Sequence, residues 1–305
     1  MLQKIVVITG PTATGKTALA VELARRFDGE IVNADSMQVY RRMDVGTAKP
    51  TFEERQGIPH HLIDVVDPDE AFNAAIFRSL AIPILKDLRE RNKKCFIVGG
   101  TGLYIKSLLG GLLYCPPSDP IYREKLQKQA EKKGPAALHK RLAELDPESA
   151  SKIHPNDKVR IIRALEIIHL TKKTLSSLSL DHGFQNIAFE ALKISLQMSR
   201  ERLYHRINER CLIMMRRGLV KETKDLLDNG YPSNIKPMKA IGYRHVIQLL
   251  KGNWDLNETV NRFQRDTRRY AKRQLTWFRA DPGIHWFDVE NGERHEIIHE
   301  VEKFL

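Results

Sequence analysis

Cysteine is scarce in this chain, with three residues among 305. Cys95, Cys115 and Cys211 are far apart, odd in number and form no Cys-x-x-Cys pair, which excludes a disulfide framework and a zinc ribbon. Long apolar runs are missing too: none approaches the roughly 18 to 20 residues of a membrane-spanning helix. The opening stretch, Met1 to Gly10, holds too short an apolar segment for a signal peptide and runs directly into a Gly-rich turn, so a cytoplasmic protein is expected. Repeats and low-complexity tracts are absent, and acid is under-represented, 38 Asp and Glu against 50 Lys and Arg. The resulting net charge of +12 suits a polyanionic partner.

What remains is a globular composition, 42% hydrophobic and 29% charged, long enough for about two domains. Lys4 to Thr9 is a buried-strand pattern and Lys16 to Phe27 a helix with Leu19, Leu23 and Phe27 on one face. Ile31 to Ala34, Leu62 to Val66 and Lys94 to Val98 read as further short strands, with a helix over about 74–91 between two of them. The expected fold is α/β, a P-loop-type parallel sheet with helices on both faces. After the turn cluster Cys115-Pro116-Pro117-Ser118-Asp119-Pro120 the pattern is helical and polar to about Leu180. We read 116–187 as an all-helical insertion, and 1–115 with 188–305 as the core. In the second half of the core a strand is expected at Ala191 to Leu196, followed by helices at about 200–217, 219–229, 244–250 and 257–279.

Gly10-Pro11-Thr12-Ala13-Thr14-Gly15-Lys16-Thr17 matches G-x-x-x-x-G-K-[ST], follows a strand and opens a helix. Loop and helix N–H groups would face phosphate oxygens, Lys16 would add a cation, and the Thr17 hydroxyl would hold Mg²⁺. A P-loop ATPase also needs an acid at the end of a second strand, yet Cys95-Phe96-Ile97-Val98 leads into Gly99-Gly100-Thr101-Gly102. Asp64 is either that acid or part of a solvated turn with Asp67 and Asp69. A motor is disfavoured and a transferase holding a diphosphate favoured. Asp35, just past a strand that should lie beside the first, is placed by the sheet-edge rule in the crevice with Lys16 and Thr17; its alternative is a turn cap. Thr101 follows another strand in the same way, its alternative being a hydroxyl bonded to its own loop. His60 and His61 lack a third ligand, so they are read as packing or hydrogen-bonding groups.

These segments, with Asp35-Ser36-Met37-Gln38-Val39-Tyr40, Gly46-Thr47-Ala48-Lys49-Pro50, His60-His61-Leu62-Ile63-Asp64 and Gly99-Gly100-Thr101-Gly102-Leu103-Tyr104, resemble the bacterial tRNA dimethylallyltransferases. The resemblance extends through Ala240-Ile241-Gly242-Tyr243-Arg244 and Tyr270 to Arg279, and so covers nearly the whole chain. It implies transfer of a dimethylallyl group from dimethylallyl diphosphate to N6 of adenosine 37 in tRNA, beside the anticodon, with Mg²⁺ and as a monomer. It further implies that Asp35 is the general base, that Thr101 and Lys16 serve the reacting diphosphate end, and that Gly10 to Thr17 hold the diphosphate. The tRNA contacts it implies are Asp35, Ser36, Met37, Gln38, Thr101, Arg123, Arg160, Arg163, Lys239, Gly242, Tyr243, Arg244, Lys272, Arg273, Gln274 and Arg279. The chain departs from the family at Lys158-Val159, where Pro-Gln is usual, and at Lys172-Lys173, where Gly-Lys is usual. Prenylation of free adenine nucleotides, a P-loop nucleoside or small-molecule kinase, and a non-catalytic RNA-binding protein are the competing functions.

The helix over 257–279 is expected to bury Leu256, Val260, Phe263, Thr267 and Tyr270 and to present Arg262, Arg265, Arg269 and Lys272 as a row of cations. Such a row suits the phosphates of an RNA stem, with the target base unstacked into a pocket.

Overall fold

The structure, a computed structural model, describes residues 2–112, 116–182 and 189–305. Cys115 and the expected boundary at 187/188 lie outside them. The chain divides into two compact units, 1–109 with 188–305, and 110–187.

The first unit begins with β1 (Gln3–Thr9), α1 (Lys16–Arg26), β2 (Gly29–Asn33), the single turn α2 (Phe52–Arg55) and β3 (His60–His61). It continues with α3 (Ala74–Glu90), β4 (Lys94–Val98) and α4 (Gly102–Gly110). Among the described residues the strands form one sheet of order β3-β2-β4-β1-β5-β6, every pair parallel, where β5 is Phe189–Gln197 and β6 is Ile284–Asp288. Ile5, Val6, Val7 and Ile8 are all buried because β1 is central and covered on both faces, which is why its sequence is continuously apolar rather than alternating. One of those faces packs on Leu19 and Leu23 of α1 and on Ile297 and Val301 of the last helix. The chain crosses from the β2 side of β1 to the β5 side, so β1 lies where the strand order reverses. Outside the carboxyl ends at such a point a crevice opens.

The stretch expected as a strand over 62–66 is not one. Leu62 and Asp64 adopt left-handed φ of 61° and 58°, which breaks the ladder after His61 and leaves one bridge between Tyr40 and Val66. Asp64 is consequently turned to the Lys49 ammonium, which also holds Asp44 and the Tyr40 carbonyl. It makes an ion pair and does not end a strand. His60 bonds the Ile58 carbonyl and His61 the buried Glu30, in keeping with a hydrogen-bonding role.

Among the described residues of the second unit five helices, α5 (Pro120–Lys133), α6 (Pro135–Leu145), α7 (Pro147–Lys152), α8 (Lys158–Thr171) and α9 (Leu175–His182), follow one another. Leu126, Leu138, Leu142, Ile161 and Leu165 form its own core. Asp119, Asp146 and Asp157 cap α5, α7 and α8, each taking a backbone N–H three residues on.

The chain returns to the first unit through β5, α10 (Arg200–Arg216), α11 (Leu219–Asp228), a 3₁₀ turn at Pro237–Lys239, α12 (Tyr243–Leu250), α13 (Leu256–Arg279), β6 and α14 (Arg294–Phe304). The buried stripe of α13 is Thr259, Phe263, Ala271, Gln274 and Phe278, while Leu256 is 55% exposed. Phe263 is thus buried as expected, Val260, Thr267 and Tyr270 are half-buried beside the stripe, and Leu256 is out of phase. A carboxylate joins two distant segments of this unit: Glu222 accepts from the N–H groups of Asp44, Val45 and Gly46 (2.9, 2.7 and 2.9 Å) and from the Tyr243 hydroxyl (2.6 Å). Glu222→Ala should cost about 2–3 kcal/mol, since hydrogen bonds to a charged acceptor are the strong ones and four donors lose theirs. Equilibrium urea unfolding checks this; a midpoint unchanged from wild type would rule out the anchor.

Candidate active site

The loop after β1 turns back on itself through left-handed backbone at Ala13 (φ 70°) and Gly15 (φ 93°), and Gly10 at φ 129° admits no side chain because a Cβ would sit 2.6 Å from the Leu196 carbonyl oxygen. Thr14 Oγ1 and Lys16 Nζ both donate to the Pro11 carbonyl, at 2.9 and 2.7 Å, which fixes the cradle from inside. Gly15 caps α1 with no side-chain oxygen, so the first helical N–H groups keep their capacity for an anion.

Three further segments meet this loop. After β2, Asp35 Oδ1 accepts from the N–H groups of Met37 and Gln38, at 2.8 and 3.3 Å. The carboxylate does cap its own turn, yet its other oxygen has no partner among the described residues. After β4, the Thr101 hydroxyl accepts from the Ser36 N–H (3.0 Å), and the Thr101 N–H donates to Ala34 O (3.2 Å). Thr101 thus ties the β4 loop to the β2 loop rather than closing on its own backbone. From α13, the Gln274 amide accepts from the Thr12 N–H (2.9 Å) and donates to Gly100 O (3.0 Å), joining the β1 loop to the β4 loop. Gly100 is glycine for this reason: a Cβ there would lie 2.1 Å from Gln274 Nε2.

Arg210, on α10, donates to Thr12 Oγ1 at 3.2 Å. Burial pushes the Lys16 ammonium down to about 7, Arg210 repulsion adds to the fall, and the Asp35 charge opposes it. Arg210 is lowered by burial as well and is likewise held up by Asp35. The phenols of Tyr104 and Tyr270 are raised, chiefly by burial, and both feel Asp35. One carboxylate, two mutually repelling cations and two phenols therefore share the crevice. That is a site short of negative charge, shaped for an anion beside a group that can accept a proton.

A family model described as IPP transferase matches residues 38–281. A tRNA dimethylallyltransferase of Syntrophobacter fumaroxidans is 51% identical over 96% of this chain and 85% of its own length. That of Geobacter sulfurreducens is 50% identical over 93% and 92%. This chain belongs to the tRNA dimethylallyltransferase family. Among solved structures, the full-length tRNA isopentenylpyrophosphate transferase of Bacillus halodurans superposes with a TM-score of 0.74 at 42% identity, covering 99% of this chain and 96% of that one. A eukaryotic dimethylallyltransferase described as acting on tRNA gives 0.79 at 32% identity over 94% and 74%.

Not every residue assigned by resemblance sits where an RNA contact requires. Tyr243 is fully buried with its hydroxyl on Glu222, and Gly242 is buried with its N–H on His245 Nδ1. Gln274 is 6% exposed with both ends of its amide engaged. In the free protein these three are engaged within the chain itself. The Gln38 amide donates to the carbonyls of Thr47 and Ala48, while Lys239, Arg244, Lys272, Arg273 and Arg279 are exposed. The expected row on α13 is also partly neutralised. Arg262 pairs with Glu258 and lies over Trp254, and Arg265, Arg269 and Arg244 surround Asp266, whose carboxyl is raised by burial but held down to about 2 by hydrogen bonds from Arg244, His245 and Arg265.

Arg210 was missed in the sequence because α10 carries several arginines. The available signal was its place at the edge of the Leu203, Ile207, Cys211 stripe, pointing along the buried face.

Removing the Gln274 amide leaves Thr12 N–H and Gly100 O unpaired, so Gln274→Ala should lose about 2–3 kcal/mol of stability. It should also weaken binding of an organic diphosphate while leaving tRNA affinity within about twofold. Loss of tRNA affinity with intact diphosphate binding would restore the RNA contact.

Proposed function

We propose that the protein transfers the dimethylallyl group of dimethylallyl diphosphate to N6 of adenosine 37 in the anticodon stem-loop of tRNA, as a cytoplasmic monomer. The observation that carries the reading is that Thr101 and Gln274 tie the Asp35 turn, the β4 loop and the Gly10 to Thr17 loop together, so that the Asp35 charge is felt at Lys16 and Arg210. The bond between the allylic carbon and the diphosphate oxygen breaks, the diphosphate leaves with the electron pair, and N6 bonds to that carbon. The N6 proton passes to the free oxygen of Asp35. Lys16, Arg210 and the N–H groups of the Gly10 to Thr17 loop stabilise the departing charge, and Thr101 holds the β2 and β4 loops in register around it.

The donor set fits Mg²⁺ only as an ion shared with the substrate. Thr17 supplies one hydroxyl with no side-chain partner, and no cluster of three His, Cys, Asp or Glu capable of holding a metal occurs among the described residues. Mg²⁺ bound to the diphosphate and to Thr17 would neutralise charge on the leaving group. Exposed cations on both units, Arg160 in one and Lys239, Lys272, Arg273 and Arg279 in the other, would meet RNA phosphates. No helix among the described residues is long and apolar enough to cross a membrane.

Labelled dimethylallyl diphosphate supplied with tRNA, AMP or ATP tests this directly: label should enter tRNA alone. Asp35→Asn should slow transfer by about 10² to 10⁴ while tRNA affinity changes by a few fold. Label in a free nucleotide, phosphoryl transfer from ATP, or near-normal turnover of the variant would each overturn the assignment.

The Lys16 shift adds a pH signature. In the free protein Lys16 is an ammonium below about pH 7 and neutral above it. A bound diphosphate favours the ammonium, so binding above that pH must take up a proton, and affinity should fall by up to about tenfold per unit of rising pH. The ligand's own phosphate has a pKa of about 6 and no longer contributes there. Calorimetry at pH 8 in buffers of different ionisation heat should show that uptake and Lys16→Met should abolish it; equal heats for the wild-type protein would contradict the prediction.

A further inference from the structure

Two arginines assigned above to RNA converge on one acid in the helical unit. Glu166 on α8 is 0% exposed. Its Oε1 accepts from the Asp119 N–H (2.8 Å) and Arg123 Nε (2.7 Å), and its Oε2 from Arg123 Nη2 (2.8 Å) and Arg163 Nη1. Arg163 Nη2 also donates to Pro116 O at 3.2 Å. Burial pushes the Glu166 carboxyl up, but these donors outweigh it and keep it below the usual carboxylate range. The arginine side chains are 38% and 31% exposed. Among the described residues each guanidinium is held along one edge and has no partner at Nη1 of Arg123 or Nε of Arg163.

Charge alone argues against an acid here. Two cations facing a polyanion attract it better than two cations and a carboxylate, so Glu166 should weaken RNA binding if it acted only through its charge. Geometry argues the other way. A free arginine has several rotatable bonds to fix on meeting a phosphate, a loss of about two- to tenfold in affinity per side chain, whereas a guanidinium already held in plane avoids that loss. We propose that Glu166 is a positioning residue for RNA recognition, which holds the Arg123 and Arg163 guanidiniums side by side in the orientation that meets the RNA backbone. The proposal rests on the tRNA reading above.

The two effects have opposite signs, so one measurement separates them. Binding of a tRNA anticodon stem-loop to the full-length protein is followed over a salt series. Arg123→Ala with Arg163→Ala should weaken binding and flatten the log-log salt slope by about one to two units. Glu166→Gln keeps the cation count but loosens both guanidiniums, so affinity should fall about fivefold or more with the wild-type slope. Arg123→Lys leaves Glu166 and Arg163 in place and carries the test even if Glu166→Gln folds poorly: a lysine cannot form the two-point contact, and affinity should fall about two- to tenfold at unchanged slope. Tighter binding by Glu166→Gln, or unchanged binding with a lower melting temperature, would show a charge or a staple and end the proposal, as would wild-type affinity in Arg123→Lys. If the double alanine variant binds with wild-type affinity and slope, the assignment of these arginines to RNA fails as well. If it weakens while Glu166→Gln does not, only the positioning role falls.

Discussion

Backbone amides act as an anion cradle only when the chain is held with its N–H groups facing the same point, and around the β1 loop that geometry is imposed by the Gln274 amide, buried between Thr12 and Gly100. A loop on its own would relax towards water. Here the contact comes from the middle of a long helix, whose position is fixed by Phe263, Ala271 and Phe278 in the core. The glycine at 100 and the amide at 274 therefore form one device: without the bare backbone at one, the other cannot reach. Thr101 extends the same device to the Asp35 turn through Ser36, so three loops from three strands behave as one surface.

Within that surface the electrostatics are deliberately unbalanced. Lys16 and Arg210 are both lowered by burial, and Arg210 depresses Lys16 further, which a structure selected only for stability would avoid. A bound diphosphate removes the conflict, and the relief adds to its affinity. Asp35 is the one group of the cluster that pulls the other way. Its charge is felt by both cations in the free protein, where its second oxygen has no partner among the described residues.

How far such a site can be read from sequence depends on which physical scale decides each residue. The β1 run and the Gly10 to Thr17 loop were legible because both burial and turn chemistry are local there. The 62–66 segment misled, since its residue types suit a strand while Leu62 and Asp64 adopt left-handed backbone, which ends the ladder and turns Asp64 to Lys49. β6 and α14 were not anticipated, because short mixed segments carry little period and are specified by pairing with β5 and packing on the sheet. Gln274 and Tyr243 are assigned to RNA by the family resemblance, which says nothing of where their polar groups point. Only their burial shows that those groups face inwards, and burial is a property of the packed chain. Arg210 meets Thr12 across 198 residues, a contact that no local pattern encodes.

The net charge of +12 also acts at two levels. At long range it draws a polyanion, and pairing within the protein hardly matters. At contact, pairing decides. Arg265 and Arg269 on α13, with Arg244, share Asp266 at side-chain exposures of 45, 65 and 46%; Asp266 is itself 16% exposed, but any one arginine can exchange it for a phosphate at small cost because the others and His245 stay beside it. Arg123 and Arg163 cannot make that exchange, because releasing them would leave Glu166 buried with an uncompensated charge. The first kind of cation contributes counterion release and tolerates many backbone paths. The second contributes direction, which a protein of a tRNA-modifying family can use alongside attraction.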